Sequence, residues 1–392
     1  MSTGEYVNVT SFEAPASFTA LTFTGAGILL AGGEDGTLRV YDLSPASQRA
    51  LCKAIKGLPG EVSSICCQPS KLPPVALGKV WIASGKRVLL FDLDSDTLVI
   101  RSQEAQEVAT LIEDDGDEDN VLNQIAVSKD MIAYSCDSGA VGVYDIQTKK
   151  RRVMKAMHSS ICGTVGFVPT RPRESKFVSG GYDSQLLHFD ASTGSVLSRL
   201  DICQFFWVSR RKYETLTSGV DPAAPASTGD SPISLAPPFL YSVTIDSNGA
   251  MATGTADGRV IVGRGGERGQ GDRPNRRKWN GLNIDIVSQY HIAEGPVIGV
   301  AWVGPSELLS VTLRGRIKHL RLPELQQKTG STIGNMMIQT LWETYTTKVN
   351  KVDCLATFTT SENVLHIAIG GRTSTGRGCV EVWKRECERK AQ

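Results

Sequence analysis

Residues Gly32 to Leu43 read GGEDGTLRVYDL. A small turn residue is followed by alternating apolar positions, and an aromatic-Asp pair, Tyr41-Asp42, closes the strand. The distance from the turn glycine Gly36 to Asp42 is six residues. The same spacing recurs from Gly139 to Asp145, Ser184 to Asp190, Gly258 to Arg264, Gly315 to Arg321 and Gly378 to Lys384, while Gly85 to Asp92 spans seven. One spacing at six of seven sites marks an internal repeat.

Within each unit the apolar residues alternate, as in Leu38 and Val40, Val141 and Val143, Val260 and Val262, and Val380 and Val382. Period two predicts a strand with one buried face. A second strand precedes each turn (ILLAGGE, DMIAYSCD, SKFVSGGYD) and a third precedes that (FTALTF, VLNQIAV, ICGTVGF). A fourth follows the closing pair (KRRVMKAM, SVLSRLDI). Seven units of four strands predict an all-β fold, a seven-bladed β-propeller in one domain over residues 1–392. The last unit, VEVWKRECERKAQ, is too short for its own fourth strand. Tyr6–Ser11, in EYVNVTSF, is therefore expected to pair into blade seven and close the ring, since an open sheet edge leaves backbone groups unpaired.

The pattern resembles the WD40 repeat family along nearly the whole chain. The family's Trp-Asp pair appears as Tyr41-Asp42, Phe91-Asp92, Tyr144-Asp145 and Phe189-Asp190, and Trp383-Lys384 keeps the tryptophan. His158 and His291 stand where the family's Gly-His signature places its histidine. In the fourth unit His158, Ser179 and Asp183 match the family's structural hydrogen-bond set, with Phe189 in place of the tryptophan. A histidine bonding a strand serine and a turn aspartate satisfies buried polar groups; the same residue types in an open cleft would suggest a hydrolase triad. A closer resemblance, to one branch of the family, is carried by Ile132–Lys150, His158–Asp190 and, more loosely, Pro237–Val260. It implies a substrate receptor of a cullin-4 ubiquitin ligase, docked on the ligase's propeller adaptor by a motif ending Trp-Asp-x-Arg. The nearest stretches are YDLS (Tyr41–Ser44), FDLD (Phe91–Asp94), YDIQ (Tyr144–Gln147) and FDAS (Phe189–Ser192), and none has Arg or Lys at its fourth position.

Composition sets outer bounds. The chain is 41% hydrophobic and 21% charged with net charge +1, which allows a large core and argues against a globally basic nucleic-acid binder. Nine Cys, in no C-x-x-C pair, and five His give little scope for a metal cluster or a disulfide framework. MSTGEYVNVTSF has no basic segment followed by an apolar one, so no signal peptide is expected. No apolar run approaches the roughly 20 residues that span a bilayer, and no lipidation motif is present. These features point to reduced thiols, a cytoplasmic or nuclear location, no membrane and a monomer by itself.

Three stretches interrupt the repeat. Glu113, Asp114, Asp115, Asp117, Glu118 and Asp119 form an acidic run between blades two and three, on the face that carries His158 and the turns. It reads as a solvated loop or as an acidic lip for a basic partner segment. Residues 209–238 form an expected flexible insertion between blades four and five, its centre rich in Pro, Ser, Ala and Gly. The interruption begins with the aromatic-basic stretch Phe205–Tyr213, where Phe205, Phe206 and Trp207 extend strand four or plug the blade junction, or else form an exposed partner motif. Residues 265–283 form a Gly/Arg-rich loop within blade five. There Arg273, Arg276, Arg277 and Lys278, with Trp279 as a stacking platform, would suit RNA, or the loop is a solvated hairpin on the opposite face.

Catalytic motifs do not emerge. GRGGERG is followed by Arg and Pro rather than a helix, so its dinucleotide reading fails. The acidic run lacks calcium-loop spacing, and neither H-E-x-x-H nor G-x-S-x-G occurs. The inner strands show no ring of carboxylates or histidines. Cys66-Cys67 are expected as one buried residue and one exposed inert thiol. The sequence therefore predicts a non-catalytic scaffold that binds protein partners and needs no cofactor or metal, with an RNA-associated propeller as the alternative.

Overall fold

The computed structural model describes residues 6–44, 50–69, 77–113, 117–169, 175–204, 237–264, 279, 281–283, 287–323 and 338–386. Six sheets have four strands and one has five. Blade one is formed by Phe18–Phe23, Leu29–Gly33, Leu38–Tyr41 and Leu51–Lys56, and blade four by Cys162–Phe167, Lys176–Gly181, Gln185–Asp190 and Ser195–Asp201. Each blade's first strand lies against the first strand of the next, and that of blade seven, Lys351–Thr359, returns to that of blade one. The molecule is a seven-bladed β-propeller.

The local rules of the repeat have plain physical causes. Gly36, Gly139, Gly258 and Gly315 take left-handed φ of 65 to 81° or 85°, and Ser184 adopts 62° in the same place. Blade two spans seven rather than six because Gly85-Lys86 is a two-residue hairpin between paired Ser84 and Arg87, with the glycine at its first central position. In blade seven the left-handed glycine is Gly376, not Gly378, which is already paired with Arg372. The second and third strands there run nine residues each, Val364–Arg372 and Gly378–Glu386, so Trp383 lies farther from its turn. The closing aspartates bend the chain. Asp42, Asp92, Asp145 and Asp190 each accept, through Oδ1, the backbone N–H two residues on, at 2.8 to 3.0 Å.

The expectation of one buried face per strand is corrected. Val141–Asp145 and Gln185–Asp190 bury consecutive residues, because a blade is covered on both faces by its neighbours. Cys66 and Cys67 show the same thing at one dipeptide. Neither thiol is free in solvent; Cys66 Sγ reaches Ile125 O in blade three and Cys67 Sγ reaches Phe23 O in blade one.

Tyr6–Ala14 is the outer strand of blade seven, antiparallel to Gly378–Glu386. It is longer than Tyr6–Ser11, and its first residue is buried. The Tyr6 ring stacks on Trp342 at 3.9 Å, and its hydroxyl lies 2.8 Å from His319 Nδ1. Arg385 Nη1, which can only donate, also faces Nδ1 at 3.2 Å. Nδ1 is therefore the acceptor, and the ring proton sits on Nε2, 3.1 Å from Glu307 Oε2. Burial pushes the His319 pKa down to about 4 against the opposing pull of Glu307, and the Arg385 charge adds to the depression. Farther along, the buried carboxylate of Glu381 accepts the backbone N–H groups of Thr347, Lys348 and Val349 and the Asn8 amide. The closing strand is thus bonded into blade seven and packed against blade six.

An unanticipated fifth strand, Val99–Arg101, runs parallel to Leu51–Lys56 on the outer edge of blade one. It lies in the connection between the third and fourth strands of blade two. Lys53, mostly buried in blade one, donates through Nζ to Leu93 O at 2.7 Å and to Ser95 O, fastening that connection back.

Candidate functional site

His158, Ser179 and Asp183 are brought together in blade four. His158 is 1% exposed; its Nδ1 lies 2.8 Å from Asp183 Oδ1 and its Nε2 2.7 Å from Ser179 Oγ. Asp183 also accepts the N–H groups of Ser159 and Gln185. Burial pushes the Asp183 carboxyl up, but these hydrogen bonds and the His158 contact together hold it below the usual carboxylate value. Ser179 and His158 are both closed off from solvent, so the set braces the blade rather than presenting a nucleophile. Phe189 stacks on Phe177 at 5.2 Å beneath it. His291 forms no such set; it ends an outer strand and is exposed, and the turn of blade six has no aspartate to meet it.

The residues that converge most closely are others. Every innermost strand shifts register by one residue near its start, at the second residue in blades one to six and the third in blade seven. The extra residues are Thr19, Ser63, Asn123, Gly163, Tyr241, Ile298 and Asp353. Each is half-buried, and each follows a fully buried neighbour such as Phe18, Val62 or Leu240 that pins the strand. A bulge re-aims a side chain out of the strand's alternation. Here all seven line one cavity of about 920 Å3, the central channel, at its mouth on the face formed by the interblade loops and the turns between second and third strands.

Turn and loop residues complete the rim. Tyr182 stacks on Phe239 at 5.3 Å and meets Tyr241 edge-on at 5.4 Å, giving an aromatic wall on blades four and five. Across the mouth stand Glu34, Glu61 and Asp353, with Lys351 and Arg372. Arg372 approaches Glu34 at 3.6 Å, and Lys351 pairs with Asp353 at 3.0 Å. Burial, together with the charges of Glu34 and Asp353, raises the Glu61 carboxyl pKa. Glu61 also meets the Thr19 hydroxyl and feels the Arg372 charge, both of which favour its carboxylate. Farther along the channel Phe23 and Phe358 stack at 5.8 Å, with Thr22, Thr244 and Thr357 beside them in the lining.

The sequence predicts no ring of carboxylates or histidines on the inner strands; three separate carboxylates nevertheless reach the mouth. Asp353 does so from a strand, and Glu34 and Glu61 from the turn and loop beside one. Sequence reading missed them because the bulge positions share no residue type. A common signal does exist, a fully buried residue immediately before each one. No histidine lines the cavity among the described residues, so no general base of that kind is paired with a nucleophile there.

The acidic run lies between the outer strand of blade two and the inner strand of blade three, on the same face as the mouth. Glu113 is exposed and ion-pairs with Arg151, whose guanidinium also donates to Leu111 O at 3.0 Å. Asp117, Glu118 and Asp119 are exposed, and Asp114 and Asp115 lie outside the described residues. Arg273, Arg276, Arg277 and Lys278 also lie outside them, as do residues 205–236, which include most of the expected insertion. Trp279 is described, and it is no stacking platform. It is 6% exposed, its indole N–H donates to Gly249 O at 2.8 Å, and its ring meets His188 edge-on. The expected base-stacking role for Trp279 is corrected by that burial.

No known protein-family model matches the chain. The fold is consistent with a WD40-type propeller. Among the described residues no group of three or more His, Cys, Asp or Glu side chains is placed to hold a metal ion, and no helix is long and apolar enough to cross a membrane.

Proposed function

We propose that the protein is a non-catalytic docking scaffold whose protein partner seats on the face bearing the channel mouth. The ring of seven bulges supports this reading most directly. Each blade spends one residue on the same rim, so seven sequence-distant side chains form one composite surface on a rigid frame. The exposed acids Asp117, Glu118 and Asp119 extend that surface outward and favour a basic partner segment.

Residues Ile132–Lys150 and His158–Asp190 resemble WD repeat-containing protein 53, and that resemblance supports a finer role as substrate receptor of a cullin-4 ligase. Against it stands the fourth position after each aromatic-Asp pair, occupied by Ser44, Asp94, Gln147 and Ser192, with no cation. Three baits test the reading: the intact chain, a Tyr182→Ala/Tyr241→Ala double variant, and a chain lacking residues 113–119. Affinity purification with mass spectrometry should show partners of the intact chain lost from one or both variants. Identical partner sets from all three would sink the docking face. Recovery of the ligase adaptor with the intact chain would support the receptor role, and its absence would remove that role alone.

A further inference from the structure

The hairpin turn between the first two strands of blade five, Leu240–Ile245 and Ala250–Thr255, carries Asn248 followed by Gly249, on the face opposite the channel mouth. An asparagine before glycine can modify itself, because the glycine has no side chain to keep its backbone nitrogen away from the asparagine amide carbon. Asn248 is exposed, so water reaches its amide, and among the described residues no other asparagine precedes a glycine. The turn holds the reaction back. Gly249 N–H donates to Asp246 O at 3.0 Å, and Asp246 Oδ1 accepts the N–H groups of Asn248 at 2.9 Å and Ala250 at 2.7 Å. Asp246 Oδ2 takes the Asn248 side-chain amide at 3.4 Å. The attacking nitrogen and the amide it would attack are both tied to Asp246, so the reaction waits for the turn to open.

The turn is also fastened to the interior. Gly249 O accepts the indole N–H of Trp279 at 2.8 Å, and Trp279 packs against His188 in the core shared by blades four and five. We propose that Asn248 is a self-modification site gated by Asp246, and that its conversion unfastens Trp279. When the turn opens, the Gly249 nitrogen gives its proton to solvent and bonds to Asn248 Cγ. The Cγ–Nδ2 bond breaks, and the nitrogen takes up a proton and leaves as ammonia. Water then opens the cyclic imide at either carbonyl, giving aspartate or isoaspartate; water is the only co-reactant. Isoaspartate routes the backbone through Cβ and lengthens it by one carbon just before Gly249, which displaces the carbonyl that meets Trp279. Aspartate keeps the backbone but sets a second carboxylate beside that of Asp246, and like charges so placed repel. The site lies apart from the docking face and acts independently of it.

The test ages the full chain in mildly alkaline buffer and maps every asparagine by peptide mass spectrometry, with chromatography to separate the two acidic products. Asn248 should convert ahead of every other described asparagine, and more slowly than in the same chain unfolded in urea. Asp246→Ala should speed its conversion about tenfold, because losing hydrogen bonds to a carboxylate loosens the turn. Asp246→Asn, which keeps an acceptor oxygen, should lie between. The indole N–H resonance of Trp279, assigned with Trp279→Phe, should move in the aged chain. It should stay in place in aged Asn248→Gln, whose longer side chain closes the ring far more slowly. A thermal melt equal to that of the unaltered chain shows that Asp246→Ala still folds, and an unchanged rate in that folded variant would sink the gate. Equal rates in the folded and urea-unfolded chain would do the same without any variant. Absence of conversion at Asn248 in the folded chain, with or without Asp246, overturns the inference. A Trp279 resonance unmoved by conversion would remove the link to the core.

Discussion

Three histidines do structural work in this molecule: His158, His188 and His319. His158 sits between the Asp183 carboxylate and the buried Ser179 hydroxyl, so removing it strands that hydroxyl and takes one contact from Asp183. His158→Ala is expected to destabilise the protein by about 2–3 kcal/mol, read as a lower thermal midpoint, since unsatisfied buried groups cost that order. Asp183→Asn, which keeps an acceptor oxygen, should cost less. His188 is buried against Trp279, and burial lowers its pKa from 6.5 to about 4, with the Lys176 charge adding to the effect. Between those two values the unfolded chain binds a proton that the folded chain refuses. The contribution of His188 is therefore fully present above about pH 6.5 and is lost as pH falls toward 4. Its imidazole resonances should not titrate between pH 8 and 6; a titration near 6.5 in the folded protein would refute the buried setting. Legibility at this scale was uneven. The His158 set showed in residue types at fixed spacing. The Tyr6, His319, Glu307 and Arg385 cluster did not, because its members come from three strands that meet only when the ring closes.

Single strands show why the repeat could be read and where it could not. The third strands carry alternating apolar residues and end in an aspartate turn, two signals that depend only on local geometry. Val99–Arg101 has neither; three residues are too few to display a period, and only pairing with Leu51–Lys56 defines it. Lys150–Val153 reads in sequence only as part of a fourth strand, KRRVMKAM. In the fold Arg151 and Arg152 reach opposite ways, to Leu111 O and Glu113 on the blade-two side and to Ala191 O and Ser192 O in blade four, so the run ties three blades together. The N-terminal strand was legible through a deficit, the missing fourth strand of the last unit. Deleting residues 2–12 removes most of Tyr6–Ala14, including the Tyr6 stack on Trp342 and the Asn8 bond to Glu381. The deletion should lower the thermal midpoint sharply and expose the edge of Gly378–Glu386; an unchanged melt would contradict the closure.

In the whole molecule, cysteine chemistry is suppressed where neighbouring blades cover each other. Burial pushes the thiols of Cys66 and Cys162 up to about 12 and those of Cys67 and Cys379 to about 11, with nearby charges and hydrogen bonds secondary. These four should react slowly with a thiol reagent at pH 8 in the native protein and quickly after denaturation. Rapid native labelling at any of them, located by mass spectrometry, would contradict their placement. The overall fold was legible because seven imperfect copies reinforce one another even where a single copy is weak. The channel mouth was not, because its residues are united by a shared backbone position rather than by chemistry.

Ring closure has a mechanical consequence. Tyr6 pairs with Arg385, so the first and last described strands end side by side and run in opposite senses. Tension applied through those two ends acts across the ladder rather than along it. Its hydrogen bonds then carry the load one pair at a time, starting at Tyr6 and proceeding toward Ala14, instead of sharing it. Pulled from its ends, this protein should yield first at the seam at low force, with six blades still folded, whereas a load carried from blade to blade through their sides meets the whole packed ring.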